Sequence, residues 1–304
     1  MTDSRVHAVR SASIHDHAVH PQREATRRHL ARRHARDDHL ERLRGFASTR
    51  RVPPVFCHWS AAVIHGLPLL LDPPRSIHVL SANERAGADR GVVRLPRLGD
   101  PEVVCVRGLQ VTSAARTVMD LAARTSYSGG VVAADFALSA GAFGSRRPLA
   151  DREELLREAV WVEPSGASRA EAAARFADGR AESPLESVSR VTLALAGAPP
   201  PELQVPVGDL LGWEARVDFC WPQLGLIGEA DGAEKLLDPA MLRDRSMIDA
   251  VADRRVREER LERAGFRVMR WGWDAGRDLH RMRELLAAHG VPLEAGDGVR
   301  LEAG

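Results

Sequence analysis

Residues 216–232, RVDFCWPQLGLIGEADG, limit the fold of this chain more than any other stretch. Two apolar runs flank the connection at 222–225, which is short enough for a β-hairpin and predicts two paired strands. Asp218 lies in the first run, and Glu229 and Asp231 end the second. Because residues i and i+2 of a strand share a face, we expect Glu229 and Asp231 to project together, with Asp218 beside Glu229.

A cluster of carboxylates of this kind favours a metal site. Like charges repel, so at least one pKa in the cluster should rise, and a divalent cation removes that repulsion. Mg²⁺ commonly binds one or two carboxylates together with water and phosphate oxygens. Asp218 and Glu229 are therefore candidate ligands for Mg²⁺ or Mn²⁺, and Asp231 is a further candidate catalytic residue. The alternative is that these are ordinary acids at strand ends.

The positive charges of the chain point to one more candidate. Of 43 lysines and arginines, 42 are arginines and one is a lysine, Lys235, which follows Asp231 by four residues. A lysine amine has a tunable pKa and can orient or help to deprotonate an attacking water, whereas a guanidinium stays charged. Lys235 is therefore a candidate catalytic residue, although a biased composition alone also explains a single lysine.

A helix is predicted just before the two strands. Ser183 is suited to the N-cap, Pro184 to the first helical position and Glu186 to the third, and the helix should end at Gly197. Glu186 is a candidate catalytic carboxylate. A capping role would also explain a glutamate at this position.

A long charged helix is predicted after the strands, ending at Gly265. Three of its arginines are candidate contacts to DNA phosphates: Arg255, Arg257 and Arg260. The alternative is pairing within the helix to Glu258, Glu259 and Glu262. A last strand in FRVMRWGW and a closing helix from about residue 277 to 289 complete the order α-β-β-β-α-β.

The first half of the chain predicts a smaller α/β domain of short strands and helices. Gly108 falls in a predicted hairpin turn, and Ser113 and Asp151 are predicted N-caps. The predicted boundaries are 1–50 for a basic segment, 51–162 for the first domain, 163–180 for a linker and helix, 181–290 for the second domain and 291–304 for a tail.

Residues 1–50 have a composition of their own. They hold seven of the 12 histidines and a run of arginines at 23–36. Such a segment is typical of an arm that contacts nucleic acid, and equally of a solvated helix or a frayed terminus.

The second domain resembles the very-short-patch-repair (Vsr-like) branch of the PD-(D/E)XK nuclease superfamily over about residues 180–278. The resemblance implies a restriction-endonuclease-like mixed sheet flanked by helices, and metal-dependent cleavage of DNA phosphodiesters. Asp218 and Glu229 match the metal-binding acids, and Glu186 matches the helix carboxylate. The lysine of the superfamily, two residues after the second acid, is here Asp231. Either Lys235 has taken over that role, or catalysis is lost and a binding fold remains.

The first domain resembles the body of AbiEi-type antitoxins of type IV toxin–antitoxin systems over about residues 54–140. The resemblance implies a role in recognition and a possible partner toxin. His58, Arg116 and Asp120 match the pattern of that family, and we expect them to be structural, since an arginine and an aspartate four residues apart on a helix commonly pair.

Cysteine usage and hydropathy predict a soluble cytoplasmic protein. Cys57, Cys105 and Cys220 are odd in number and far apart, which indicates reduced thiols. The apolar runs are too short to span a bilayer. The sequence therefore predicts an α/β protein with a DNA endonuclease module and an antitoxin-like recognition domain. The alternative is a regulator without catalysis that binds DNA or protein through a degenerate nuclease fold.

Overall fold

The computed structural model describes residues 34–81, 86–208, 212–231 and 247–294, and for 247–254 it describes the backbone alone. Within these ranges the protein has an α/β fold, as predicted. The elements of the first unit are α1 (34–48), α2 (His58–His65), β1 (Ile77–Leu80), β2 (Gly87–Asp89), β3 (Val92–Leu95), β4 (Val103–Val106), β5 (Leu109–Thr112), α3 (Ala114–Arg124), α4 (Tyr127–Leu138), α5 (Arg152–Ala159) and α6 (Ala167–Phe176).

The strands of the first unit form small sheets that Phe56 joins. β1 pairs in parallel with β3, β2 pairs antiparallel with β3, and β4 and β5 form the predicted hairpin. Phe56 is fully buried and bridges Val79 of β1 and Val111 of β5. The two predicted caps are confirmed, because Ser113 accepts the Arg116 amide at the start of α3 and Asp151 forms a capping box at the start of α5.

Two apolar cores stabilise this unit. The larger lies among helices α2 to α6, and the smaller joins α1 and α2 to the sheets. Leu40 and Leu43 of α1 belong to the smaller core, so residues 34–48 pack against the unit. The rest of the basic segment, residues 1–33, lies outside the described residues. Within 163–180, helix α6 packs in the larger core through Ala170 and Ala173, as part of the first unit.

The second unit contains one four-stranded mixed sheet. Its elements are α7 (Pro184–Ala196), β6 (Glu202–Gly208), β7 (Glu214–Trp221), β8 (Leu226–Ala230), α8 (Met247–Arg263), β9 (Arg267–Trp271), α9 (Trp273–Gly276) and α10 (Leu279–Ala288). The strand order is β6-β7-β8-β9, antiparallel except for the parallel pair β8 and β9.

Each face of this sheet is covered by helix. On one face, Phe219, Trp221 and Trp271 pack with residues of α7 and α10. On the other, Val217 and Ile227 pack with Leu261 of α8. This arrangement brings α7 and α8 to the strands that carry the acidic residues. Among the described residues, no helix has the length and apolar character needed to cross a membrane.

Candidate active site

Asp218 lies in the middle of β7, where strand pairing with β8 stops. The β7–β8 ladder runs from Trp221 and Leu226 to Phe219 and Gly228 and ends there. At the next step, Asp218 Oδ2 accepts the Ala230 amide at 2.9 Å. A carboxylate thus takes a backbone donor that a continuing ladder would have used. β7 runs from Glu214 to Trp221, so Asp218 lies inside the strand.

Glu229 is a buried carboxylate near Asp218. Its residue is 7% exposed, and its Oε1 accepts from Arg257 Nη2 at 2.9 Å. The same Nη2 donates to the Arg216 carbonyl at 2.7 Å, which anchors the guanidinium beside β7. Burial raises the pKa of the Glu229 carboxyl, Arg257 opposes the rise, and the negative charge of Asp218 adds to it. The predicted rise of one pKa in the cluster is therefore present, with burial as its largest cause.

Glu186 is tied to the cluster by Gln204. Ser183 caps α7, and Glu186 Oε2 reaches back to the Glu182 amide at 2.9 Å, one residue earlier than in a standard capping box. The Gln204 amide nitrogen donates to the same oxygen at 2.9 Å and to Asp218 Oδ1 at 3.4 Å. Glu186 is 2% exposed and so serves both as a helix cap and as a neighbour of Asp218 through Gln204.

Gln204 adopts an unusual backbone conformation for this contact. Its φ is +55°, in the left-handed region, although it lies within β6. Its neighbours Leu203 and Val205 pair in register with Phe219 and Val217. A strained residue inside a regular strand is typical of functional sites. No sequence pattern predicts this conformation, because a glutamine in a β-strand ordinarily has an extended backbone.

Asp231 makes a different contact from that expected. Its carboxylate accepts from Arg270 Nη1 at 3.1 Å, and its amide donates to the Trp271 carbonyl at 2.9 Å. Arg270 lies on β9 directly beside Glu229 in the parallel register. Its Nε and Nη2 are buried and make no hydrogen bond in the described structure, although Glu258 Oε2 lies 3.5 Å from Nε. Arg270 was not among the candidate residues, and its charge beside the apolar residues Met269 and Trp271 was the available signal in the sequence.

The three candidate arginines of α8 are placed differently. Arg255 pairs within the helix with Glu259 at 3.3 Å, as the alternative interpretation predicted, and is mostly exposed. Arg257 turns to Glu229, and Arg260 lies over the Trp213 ring at 5.5 Å. The sequence alone does not predict these different contacts, because all three arginines lie within six residues of one charged helix. Lys235 lies outside the described residues.

The cluster offers carboxylate oxygens, which are the ligand type that a hard divalent cation prefers. Mg²⁺ typically uses one or two protein carboxylates and completes its shell with water and phosphate oxygens. Asp218 and Glu229 are two such carboxylates, and the Asp218 charge is close enough to raise the pKa of Glu229. In the part of the chain that the structure describes, no three His, Cys, Asp or Glu side chains group as a metal site. A metal here would therefore rely on two carboxylates, with Arg257 giving up its contact to Glu229.

A second polar cluster lies inside the first unit. Arg116 and Asp120 form a buried ion pair, with Nε and Oδ1 3.0 Å apart, and His58 Nε2 is 3.6 Å from Asp120 Oδ2. Burial lowers the pKa of His58 to about 3 and raises that of Asp120 to about 6. Arg116 also donates to the Leu98 carbonyl at 2.8 Å. These contacts join α2, α3 and a connecting loop, which agrees with a structural role.

The fold and the site together define an α/β protein with an acidic cluster in its second unit. The cluster is formed by Glu186, Asp218 and Glu229 and lies where the pairing of β7 with β8 ends. The chain is 33% identical over 197 residues to Uncharacterized protein MT2308 of Mycobacterium tuberculosis strain CDC 1551 / Oshkosh, and equally to Uncharacterized protein Rv2248 of strain H37Rv. Each match covers 63% of this chain and 68% of the relative, so the chain belongs to the family of these two proteins. No family model matches the chain, and no solved structure matches it.

Proposed function

We propose that this protein is a metal-dependent DNA endonuclease of the Vsr-like type, in which the first unit supplies recognition. The observation that carries the proposal is the junction at Asp218. There a carboxylate interrupts the β7–β8 ladder, lies near the buried Glu229 and is linked through Gln204 to Glu186. Three carboxylates from two strands and a helix are thus gathered where strand pairing ends.

In this proposal Asp218 and Glu229 hold Mg²⁺ or Mn²⁺. The metal would lower the pKa of a bound water and neutralise charge on the phosphodiester. Glu186 and Gln204 fix the orientation of Asp218, and Lys235 orients the attacking water. Arg257 neutralises Glu229 while that carboxylate has no other cation, which reduces the cost of its burial.

A second candidate function is a regulator that binds DNA or protein without cleaving it. Two observations favour it: Arg257 already neutralises Glu229, and Arg270 already binds Asp231. In a protein that no longer binds a metal, these carboxylates would be neutralised by internal ion pairs of this kind. A partner toxin belongs to this second proposal, through the antitoxin-like resemblance of the first unit.

Cleavage of labelled DNA decides between the two functions. Single- and double-stranded DNA would be incubated with Mg²⁺ or Mn²⁺ and the wild type, Asp218→Asn or Lys235→Ala. We expect cleavage that requires metal and falls by at least about 100-fold in Asp218→Asn, the scale of a lost electrostatic contact to the transition state. Asp89→Asn is the matched control, because it makes the same change at an aspartate whose side chain is 69% exposed in β2, away from the candidate site.

The variants separate the individual roles. A parallel loss in Lys235→Ala would support a catalytic lysine, and full activity in that variant would leave Lys235 without a catalytic role. If the folded wild type cuts neither substrate with either metal, the nuclease proposal is wrong and the regulator is favoured. DNA affinity measured on the same samples would then show whether the regulator binds DNA.

A further inference from the structure

Phe143 is an aromatic residue displayed on the surface of the first unit. It is 86% exposed and lies in the short turn Ala142–Gly144 after α4. Its backbone is left-handed, with φ 53° and ψ 30°, a conformation that a bulky L-residue rarely adopts. Among the described residues, it belongs to neither apolar core of the unit. Folding of the unit therefore gives no reason for an aromatic ring here.

The ring lies against the second unit, close to the candidate active site. The Arg216 guanidinium stacks over it, with Cζ 4.1 Å from the ring centroid. Arg216 precedes Asp218 by two residues on β7, a distance of about 7 Å along a strand. The carbonyl of Arg216 also accepts from Arg257, which binds Glu229. Phe143 is thus connected to the acidic cluster, although it comes from the other unit.

A second pair of the same kind lies further along β7. Arg260 of α8 lies over the Trp213 ring at 5.5 Å, and Trp213 comes just before the strand begins. This second pair lies on the α8 face of the sheet, where Trp213 packs with Val217 and Leu261. Arg216 projects to the opposite face, where it also binds Glu182 at 2.6 Å, so Phe143 is the ring that lies on the Arg216 side of β7. Proteins that bind single-stranded nucleic acid alternate such aromatic rings and cations, because bases stack on the rings and phosphates bind the cations.

We propose that Phe143 stacks on an unpaired base of DNA whose backbone passes along β7 to the acidic cluster. The inference rests on the proposed binding of DNA at that cluster and deepens it. Arg216 holds one side of the ring, and most of the ring's remaining surface is exposed to a ligand. Arg147 is exposed four residues after Phe143 and adds positive charge to the same segment. The first unit would thereby contribute directly to substrate recognition.

Binding without cleavage tests this inference. Fluorescence anisotropy in EDTA would give the affinity of the protein for a single-stranded oligonucleotide and for a blunt, fully paired duplex. We expect Phe143→Ala and Phe143→Gly to weaken single-strand binding by roughly tenfold or more, the effect of losing one base–aromatic stack. Phe143→Tyr should bind like the wild type, because it keeps a ring. Binding of the duplex should change little.

Leu71→Ala provides the matched control, since Leu71 is a similarly exposed apolar residue at 68%. It should bind both DNAs like the wild type. Equal single-strand affinities of the wild type, Phe143→Ala and Phe143→Gly would overturn the inference while leaving DNA binding intact. Equal losses on single strand and duplex would also overturn it, because they would indicate a general effect. A wild type that binds neither DNA would overturn the inference, while cleavage with Mg²⁺ or Mn²⁺ tests the proposed function separately.

Discussion

At the scale of single residues, Gln204 shows how the site is held. A left-handed backbone is unfavourable for a glutamine, and the conformation is maintained inside a paired strand. In return, its amide nitrogen reaches two carboxylates, those of Glu186 and Asp218. Backbone strain at a residue that hydrogen-bonds to catalytic or metal-binding side chains, and so orients them, is typical of functional sites.

Replacing Gln204 with glycine should lower both stability and activity. Glycine relieves the left-handed strain, but it removes the hydrogen bonds to two carboxylates and loses more chain entropy on folding, so the free energy of unfolding should fall by about 1–3 kcal/mol. If the nuclease proposal holds, cleavage should fall by about 10- to 100-fold, the usual effect of losing a residue that hydrogen-bonds to a metal ligand. Urea unfolding and cleavage rates measure the two effects.

Arg90→Gly is the control for this substitution. Arg90 also has a left-handed backbone, with φ 46°, but lies exposed in the turn between β2 and β3. Its replacement should change the free energy of unfolding by less than about 1 kcal/mol and leave cleavage unchanged. Unchanged cleavage in Gln204→Gly would show that the amide does not orient Asp218.

At the scale of elements, the central strand β8 depends on a glycine. β8 pairs on both sides, with β7 and β9, and all five of its residues are buried. A Cβ added to Gly228 would lie 2.6 Å from Trp271 Cη2 and 3.2 Å from Phe219 Cβ. Those two rings pack on each other with centroids 5.3 Å apart, so neither can move freely.

Gly228→Ala should therefore destabilise the second unit. Overpacking of this kind costs about 1–3 kcal/mol of unfolding free energy, which chemical denaturation measures. Gly87→Ala is the control, because a Cβ at that exposed strand position meets no atom within 4 Å. Its effect should stay within about 0.5 kcal/mol. Equal effects of the two substitutions would contradict the packing argument.

The elements themselves were largely predictable from sequence, and the contacts between them were not. The signals at Ser183, Pro184 and Gly197 are local, and α7 runs from Pro184 to Ala196 between those caps. By contrast, Arg257 reaches Glu229 from 28 residues away in sequence, and the ring of Phe143 reaches the second unit. Such contacts depend on how whole elements pack, which no local pattern specifies.

At the scale of the whole molecule, a buried ion pair joins the two units. Arg190 of α7 binds Asp135 of α4 at 2.7 Å, with side chains 10% and 1% exposed. Asp135 also accepts the Asp178 amide at 2.7 Å, and Arg190 donates to the Phe176 carbonyl at 2.8 Å. Since α7 also carries Glu186, this contact sets the position of the site relative to the first unit.

Replacing Arg190 with methionine should leave Asp135 buried without its cation. Removing one partner of a buried pair costs about 3–5 kcal/mol of unfolding free energy. Burial raises the pKa of the Asp135 carboxyl, and Arg190 opposes that rise, so the pKa should rise further in the variant. Arg175→Met is the control, because Arg175 and Glu171 form an exposed pair with side chains 67% and 52% exposed.

The pH dependence of this loss identifies its cause. A carboxyl whose pKa is raised on folding stabilises the protein at low pH, and that stabilisation is lost as the pH rises through the folded pKa. The deficit of Arg190→Met should therefore be large at pH 8 and shrink toward pH 4, by up to about 1.4 kcal/mol per pH unit.

The comparison must be made with the wild type at each pH, because acid weakens both proteins. Burial lowers the pKa of His58 to about 3 and that of His39 and His78 to about 4, so below about pH 6.5 only the unfolded chain takes up those protons. That effect is common to variant and wild type and cancels in the difference. A deficit that stays constant from pH 8 to pH 4 would show that the variant loses packing rather than the partner of a buried charge.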